Sequence, residues 1–231
     1  MKLLFVAADA MEFPGILARS RESRRPAVAV DWARLATLNG HAVMLAANGA
    51  GAKRAAAAVD AALEKFDADA VISTGFCGAL DPELAVAEVV VGTEVAADGR
   101  RFPAAVPSSP RRHHTGVVCS IGRVAQTAEE KRVLRASGGA VVEMEAGGVA
   151  ERAGAKGIKF YCIRVVTDLA GEDMANDFNL ALRPDGHFAT MSILRRALRD
   201  PLVRVPELIR LRNRCVRASR SLGEFIADCR Y

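Results

Sequence analysis

Short runs of consecutive apolar residues recur along the chain, and longer segments with helical spacing of apolar residues separate several of them. A run in which nearly every residue is apolar is typical of a strand that is buried on both faces of a sheet. Seven such runs are predicted to be strands: Leu3–Ala7, Ala42–Ala46, Ala70–Thr74, Val89–Val95, Val117–Ser120, Ala140–Val142 and Phe160–Val166. Their alternation with helical segments predicts an α/β fold, in which helices cover a central sheet.

Local start and stop signals predict three helices between these strands. The alanine-rich stretch Ala52–Lys65 follows two glycines and has high helix propensity. Thr127 and Glu130 have the spacing of a capping box, which predicts that a second helix begins there. A third helix is predicted over Glu145–Ala153, ending at Gly154.

The last fifty or so residues differ from the rest of the chain in their pattern of polar and apolar residues. A polar stretch, Gly171–Asn179, precedes a helical region, and Pro206 suits the first turn of a final helix. Apolar residues then recur at three- and four-residue steps: Leu208, Leu211, Cys215, Ala218, Leu222, Phe225 and Cys229. We expect one domain over residues 1–231, with residues 180–231 as a helical C-terminal extension packed on it; a dimer contact is the alternative use of the stripe.

Composition narrows the class of protein. With 231 residues, of which 51% are hydrophobic, the chain can bury a sizeable core. Asp9 and Glu12 interrupt the first apolar run, so neither a signal peptide nor a membrane span is predicted. The five cysteines are odd in number and lack metal-ligand spacing, which argues against disulfides and zinc and favours a reducing cytoplasm.

The net charge of +5 raises the question of nucleic-acid binding. Much of the excess is arginine in the final stretch of the chain, where a solvated helix face is the simpler interpretation. We therefore predict no nucleic-acid partner.

Polar residues follow four of the apolar runs, in the segments Asp9–Glu12, Ser73–Gly78, Glu143–Glu145 and Thr167–Asp168. Ligands of open α/β sheets bind at the carboxyl ends of the strands. We therefore expect these four segments to surround one site.

Three motifs stand in register along the first 170 or so residues. They are Asn48–Gly51 with Ser73–Val95, then Val142–Ala150, which contains Glu-Met-Glu, and Arg164–Asp168. Together they resemble the nucleoside phosphorylase and nucleosidase family, in particular the methylthioadenosine/S-adenosylhomocysteine nucleosidases. The resemblance implies a three-layer phosphorylase/hydrolase-like fold with a mixed, twisted central sheet. It also implies a homodimer that cleaves a purine nucleoside without a cofactor, with inorganic phosphate as a cosubstrate only in the phosphorylases.

The chemistry of the reaction explains why such a site needs acids. Cleaving an N-glycosidic bond places positive charge on the ribose and negative charge on the departing base. Glu145 could accept hydrogen bonds from the ribose and stabilise its charge, and Asp168 could protonate the base. Without the resemblance, Glu145 is equally a helix-start acid and Asp168 a cap for the next segment.

The residue that activates water is less clearly marked. The nucleosidases carry a run of acids after an Ala-Met pair, whereas this chain has Ala10-Met-Glu-Phe-Pro14, so the matching position falls on Pro14. Glu12 could take that role from a shifted loop, or it could be a surface acid at the start of a helix.

Further residues are predicted to contact the substrate. Gly75 would let the backbone approach the ligand, Met144 would lie against the sugar, and Val124 replaces a common aromatic, so that Phe178 could stack on the base instead. Cys77 is interpreted as a buried apolar residue, and the pair His113 and His114 lacks further ligands for a metal. The full set is Gly75, Phe76, Cys77, Ser120, Val124, Ala125, Glu143, Met144 and Phe178.

Three alternatives to a nucleosidase stay open. Phosphate could replace water, although the early Gly-Asp-Pro and arginine motif of hexameric phosphorylases is not visible. Residues 179–215 resemble the extension of hopanoid-associated phosphorylase-like proteins, which implies adenine cleavage from a ribose that carries a large lipid group. The departure at Pro14 also allows a binding protein that has lost turnover.

Overall fold

Ten strands form one mixed sheet in the computed structural model, which describes residues 1–231. In chain order they are β1 (Lys2–Ala7), β2 (Arg21–Arg24), β3 (Trp32–Leu38), β4 (His41–Ala47), β5 (Ala70–Ala79), β6 (Val89–Ala97), β7 (Arg100–Pro103), β8 (His114–Ser120), β9 (Gly139–Glu143) and β10 (Lys159–Asp168). The order across the sheet is β10-β6-β8-β9-β5-β1-β4-β3-β2, with β7 paired to β6. Because β10 also pairs with β5, the strands β5, β10, β6, β8 and β9 close into a ring.

All seven predicted strands are present, and the predicted α/β class with a central mixed sheet is confirmed. Three strands were not predicted. β2 is exposed along its whole length at the sheet edge, β7 is short, and β3 mixes polar and apolar residues. None of them has the continuous apolar run that marks a strand buried on both faces.

Six helices accompany the sheet. They are α1 (Pro14–Leu17), α2 (Ala52–Leu63), α3 (Ala128–Ala136), α4 (Ala146–Ala155), α5 (Thr190–Ala197) and α6 (Pro201–Ala227), with short 3₁₀ turns at Ala10–Glu12 and Asn179–Ala181. None of them combines the length and the apolar character that crossing a membrane would require.

The observed ends of the helices test the start and stop signals that were predicted from the sequence. The predicted capping box is confirmed, since the Glu130 N–H donates to Thr127 Oγ1 at 3.1 Å and the Thr127 N–H donates to Glu130 Oε2 at 3.2 Å. The predicted stop at Gly154 is wrong: the helix runs on to Ala155, and the left-handed glycine is Gly157. The start at Pro206 is also wrong, because Pro201 occupies the first turn of α6 and Pro206 lies inside it.

Two apolar cores lie against the sheet. One contains residues of α2 and α4, and the other contains residues of α1 and α6. From the C-terminal stripe, Ala218, Leu222 and Phe225 are buried in the second core with Phe5 of β1. This half of α6 therefore packs on the sheet, whereas Leu208 and Leu211 lie at a cavity described below.

Helices α1 and α6 approach so closely that their backbones touch at two glycines. A Cβ added to Gly223 would lie 2.0 Å from the carbonyl carbon of Gly15, and one added to Gly15 would lie 1.8 Å from the Ser219 carbonyl oxygen. The absence of side chains at Gly15 and Gly223 therefore sets the distance between the two helices.

We predict that Gly223→Ala lowers the free energy of unfolding by about 1–3 kcal/mol, since backbone atoms must move to admit the methyl group. Gly154→Ala is the matched control, because that helical glycine has no atom within 4 Å of an added Cβ. Urea unfolding measures both. Equal stability of Gly223→Ala and the wild type would contradict the close approach of the helices.

Candidate active site

The four polar segments converge on one cavity of about 410 Å³, a volume in the range of small-molecule sites. It lies at the carboxyl ends of β1, β5, β9 and β10. Its acids are Asp9, Glu12, Glu143, Glu145 and Asp168. Much of the remaining lining is apolar, including Met144, Phe178 and Leu211.

Glu12 is buried at the end of the first 3₁₀ turn. Its Oε1 accepts a hydrogen bond from the Phe76 N–H at 2.7 Å, and its Oε2 accepts one from the Asp9 N–H at 2.9 Å. Burial raises the pKa of the Glu12 carboxyl above its ordinary value, although these two hydrogen bonds oppose the shift. A carboxylate with a raised pKa is a better proton acceptor near neutral pH.

Gly75 has a different role from the one predicted. It does not line the cavity, and a Cβ added to it would lie 2.2 Å from Glu12 Oε1. Its φ of +130° is also one that other residues rarely adopt. Gly75 therefore makes room for the Glu12 carboxyl rather than for a ligand.

Glu143 and Glu145 divide two tasks at the start of α4. Glu143 Oε2 accepts hydrogen bonds from the N–H groups of Glu145 and Ala146, each at 2.8 Å. Glu145 stands at the N-cap position without a side-chain capping bond, and its Oε1 accepts from the Gly51 N–H at 2.9 Å. Because Glu143 already satisfies the helix start, Glu145 is free to face the cavity.

A fully buried arginine lies behind these acids. Arg164 forms an ion pair with Glu143, and its Nη1 lies 3.8 Å from Glu145 Oε2. It also donates to the Thr74 carbonyl at 3.0 Å and to Ser73 Oγ at 2.5 Å, which fixes its orientation. Glu143 Oε1 is buried without a partner, so it can accept a hydrogen bond from a ligand.

The electrostatics favour a protonated Glu145. Burial and the neighbouring charge of Glu143 raise the pKa of Glu145 to about 8, although Arg164 opposes the shift. Positive charge that develops on a ligand would favour the carboxylate instead.

This pKa makes stability depend on pH. Between about pH 4.5 and pH 8 the native protein keeps a proton on Glu145 that the unfolded chain has lost, so the free energy of unfolding falls as the pH rises through this window. We predict that Glu145→Gln removes roughly 2–4 kcal/mol of that fall. Urea unfolding at pH 5 and pH 8 measures it, with the exposed Glu151→Gln as control. Parallel pH profiles for Glu145→Gln and the wild type would contradict the raised pKa.

Asp168 is the last residue of β10 and lines the same cavity as Glu12. Its Oδ2 is 2.7 Å from Lys131 Nζ, and its Oδ1 accepts a hydrogen bond from Thr167 Oγ1 at 3.2 Å. A Cβ added to Gly78 would lie 2.7 Å from Asp168 Oδ2, so Gly78 makes room for this acid as Gly75 does for Glu12. The Lys131 side chain is fully buried and also donates to the Leu169 carbonyl at 2.7 Å.

The apolar side of the cavity includes Val124, Ala125 and Phe178. The side chain of Asn179 accepts from the Val124 N–H at 2.8 Å and donates to the Val124 carbonyl at 2.9 Å. Both backbone polar groups of Val124 are therefore engaged by Asn179. Phe178 contacts Phe188 edge-on, with 6.2 Å between the ring centres.

Most of the predicted contact residues line the cavity: Phe76, Cys77, Val124, Ala125, Glu143, Met144 and Phe178. Ser120 does not, because its Oγ accepts from the Gly147 N–H at 3.0 Å and is used to position α4. Pro14 begins α1 away from the cavity, whereas Glu12 faces it. Cys77 is buried, which raises the pKa of its thiol well above the ordinary value and keeps it protonated.

Sequence reasoning missed Lys131 and the role of Arg164. Lys131 lies in a helix rich in charged residues, where a lysine is normally solvated, and no local pattern distinguishes it. No group of three or more His, Cys, Asp or Glu side chains is arranged to hold a metal ion.

The family comparison identifies the class of protein to which this mixed sheet and its acid-lined cavity belong. The model of the phosphorylase superfamily matches residues 6–190, and the chain belongs to this family. The predicted family membership and enzyme class, cleavage of N-glycosyl bonds, are thereby confirmed.

Individual relatives point to the nucleosidase branch. The chain is 30% identical over 196 residues to a 5'-methylthioadenosine/S-adenosylhomocysteine nucleosidase of Geobacillus thermodenitrificans, covering 71% of this chain and 83% of that protein. It is 29% identical over 182 residues to the enzyme of the same name from Anoxybacillus flavithermus, covering 64% and 76%.

Solved structures share the fold over nearly the whole chain. The MTA/SAH nucleosidase of Streptococcus pneumoniae in complex with 8-aminoadenine matches with a TM-score of 0.75 and 18% identity, covering 99% of this chain and 98% of that one. The enzyme of Neisseria meningitidis with methylthio-immucillin-A matches with a TM-score of 0.74 and 20% identity, covering 98% and 97%. The family model ends at residue 190, so the hopanoid-associated resemblance of the extension stays a prediction.

Proposed function

We propose that this chain hydrolyses the N-glycosidic bond of an adenine-type purine nucleoside and releases the base. The observation that carries the proposal is that Glu12, Glu145 and Asp168 line one cavity of nucleoside size. The reaction needs a nucleophile, a stabiliser of ribose charge and an acid for the base, and three separately held carboxyl groups can supply them.

On the side of the leaving group, Asp168 is the proton donor. Thr167 and Lys131 hold its two oxygens, so the carboxyl keeps one orientation towards the cavity. When the proton passes to the base, the carboxylate that remains lies beside the Lys131 ammonium group. This ion pair stabilises the product of the proton transfer. Phe178 packs against the base.

On the ribose side, Glu145 and Glu143 are the acceptors for sugar hydroxyls. The unpartnered Glu143 Oε1 and the cavity-facing carboxyl of Glu145 support this role. The form of Glu145 that has released its proton to solvent is the catalytic one, because its carboxylate stabilises the positive charge that develops on the ribose ring in the transition state. Met144 forms the apolar wall beside the sugar.

Water is the nucleophile, and Glu12 is the group that activates it. An incoming phosphate dianion would approach Glu12, Glu143 and Glu145, and each of these carboxyl groups that is ionised repels it. Two arginines near the cavity do not offset this repulsion, because Arg164 is fully buried and paired with Glu143 and Arg123 is paired with Glu130; Arg212 is the arginine of the lining that has no acidic partner. Phosphorolysis is therefore the less favoured route.

The apolar half of the cavity supports a second candidate for the substrate. Phe188, Ile193, Leu208 and Leu211 continue the lining beyond Phe178 with few polar groups. A nucleoside with a large apolar substituent on the ribose would fit this lining, which is the substrate class implied by the hopanoid-associated resemblance. Cleavage of the same bond applies to both candidates.

Release of free base from purified protein tests the proposal. Adenosine, methylthioadenosine and S-adenosylhomocysteine are each incubated with and without inorganic phosphate, and free adenine is quantified. We expect release without phosphate. Release only with phosphate would show a phosphorylase, and binding without any release would show a nucleoside-binding protein.

We also propose a cytoplasmic homodimer that needs no cofactor. The five cysteines are free and buried, which fits a reducing compartment, and the carboxyl groups supply the acid and base without a metal. Sedimentation equilibrium tests the dimer, and unchanged base release in the presence of a metal chelator tests the absence of a metal.

A further inference from the structure

Exposed apolar side chains are concentrated in one part of the molecule. Of the thirteen large hydrophobic residues that are exposed, nine lie between residues 180 and 216. They are Leu180, Phe188, Met191, Leu194, Leu198, Leu202, Val203, Ile209 and Val216. Isolated exposed leucines are normal on a protein surface, whereas a concentration of this kind marks an interaction site.

These residues follow the helices rather than scattering around them. Met191 and Leu194 of α5 and Leu198 at its C-cap are spaced by three and four residues, so they share one face. Leu202, Ile209 and Val216 are spaced by seven residues on α6 and form a stripe along it. Leu202 is 88% exposed, and Leu198 is 71% exposed. Together these six residues are called the apolar face.

The same helices carry the positive charge of the chain. Residues 190–217 contain eight arginines and two acids, a net charge of +6, whereas the whole chain has +5. Only Arg214 forms an ion pair, with Glu172, and the other seven arginines have no acidic partner. They are Arg195, Arg196, Arg199, Arg204, Arg210, Arg212 and Arg217. Glu207 is buried and bonded to the backbone of Ala175 and Asn176, so it does not reduce the outward charge.

We propose that the apolar face and its unpaired arginines dock this protein on the surface of an anionic lipid bilayer. An amphipathic helical surface with exposed leucines and flanking arginines is suited to the boundary between headgroups and acyl chains. The leucines enter the acyl region, and the arginine side chains extend to the anionic headgroups.

Other occupants fit the charge and the side chains less well. A second copy docked symmetrically through this face would place arginines against arginines, which is repulsive. A nucleic acid would pair with the arginines but would leave the aliphatic residues of the face in water.

Docking would also set the position of the cavity relative to the bilayer surface. Phe188 and Ile193 line the cavity, and they lie next to Met191 and Leu194 in the chain. A protein bound through the apolar face therefore holds this wall of the cavity near the lipid surface. The docking itself does not depend on which nucleoside is cleaved.

Co-sedimentation of the full chain with vesicles tests the proposal. Vesicles of phosphatidylcholine alone are compared with vesicles that also contain phosphatidylglycerol. We expect binding only to the anionic vesicles, weakening as salt is raised. The double variant Leu198→Glu/Leu202→Glu should bind at least tenfold more weakly, while its thermal unfolding and base release match the wild type. Val133→Glu, at an exposed valine of α3, is the matched control and should bind normally.

Each other outcome overturns the proposal. No binding of the wild type to anionic vesicles, equal binding to neutral ones, or normal binding of the double variant would do so. Self-association that the double variant abolishes would assign the face to a second copy. Salt-sensitive binding to duplex DNA, unchanged in the double variant and stronger than binding to vesicles, would assign it to nucleic acid.

Discussion

Replacing Asp168 with asparagine is expected to lower the rate of base release about a hundredfold or more, because the variant has no proton to give to the departing base. The asparagine carbonyl can still accept a hydrogen bond from Lys131, so the cavity should keep its shape. Single-turnover measurements of free base, with inhibitor binding as a check on the site, give the rate. A substrate whose base leaves without protonation should be affected much less.

The ion pair with Lys131 requires its own control in this experiment. Replacing the carboxyl group with an amide removes the only acidic partner of the buried Lys131 side chain, which costs stability whatever the chemistry. The unfolding temperature of Asp168→Asn must therefore be measured, and the rates compared well below it. If the folded variant released base at the wild-type rate, Asp168 would not be the acid.

Replacing Glu12 with glutamine is expected to reduce base release by roughly a hundredfold to ten-thousandfold, since the amide cannot take a proton from water. One of the two backbone N–H groups that face Glu12 would also lose its acceptor. Because burial raises the pKa of Glu12, wild-type activity should fall as the pH drops through that raised value, and this acid limb should be absent in the residual activity of the variant.

Asp67→Asn is the matched control for Glu12→Gln, because it removes a carboxylate that is 97% exposed and remote from the cavity. It should leave both the rate and the acid limb unchanged. If Glu12→Gln still bound an inhibitor tightly, its lower rate of base release would come from slower turnover and not from weaker binding. If Glu12→Gln released base at the wild-type rate without phosphate, another residue would have to activate the water.

The fold was predictable where burial leaves a mark on the sequence. β1, β4, β5 and β10 are apolar nearly throughout because helices cover both faces of the sheet, and all were predicted. β3 was missed because its polar and apolar residues are mixed, and its position depends on pairing with β2 and β4. Strand pairing depends on two segments of the chain together, so neither segment by itself predicts the strand.

The residues of the site were likewise predictable only where the local sequence marks them. Glu12, Glu145 and Asp168 could be proposed from the sequence because each follows an apolar run or stands in a motif. Lys131 could not, since its partner Asp168 is 37 positions away in the sequence and nothing in α3 marks the contact. Gly75 was predicted to let a ligand approach the backbone, whereas the group that lies against it in the structure is the carboxyl of Glu12.

Helix α6 has a consequence for where the enzyme can be shortened. It runs for 27 residues, about 40 Å. Leu208 and Leu211 of this helix line the cavity, and the hydroxyl of Ser219 donates to the Glu12 carbonyl at 3.2 Å. A chain cut after residue 190, where the family model ends, would retain every acid of the cavity. It would still lose one wall of the cavity and the Ser219 contact to the Glu12 backbone, so the minimal catalytic unit extends well beyond the segment that the family model matches.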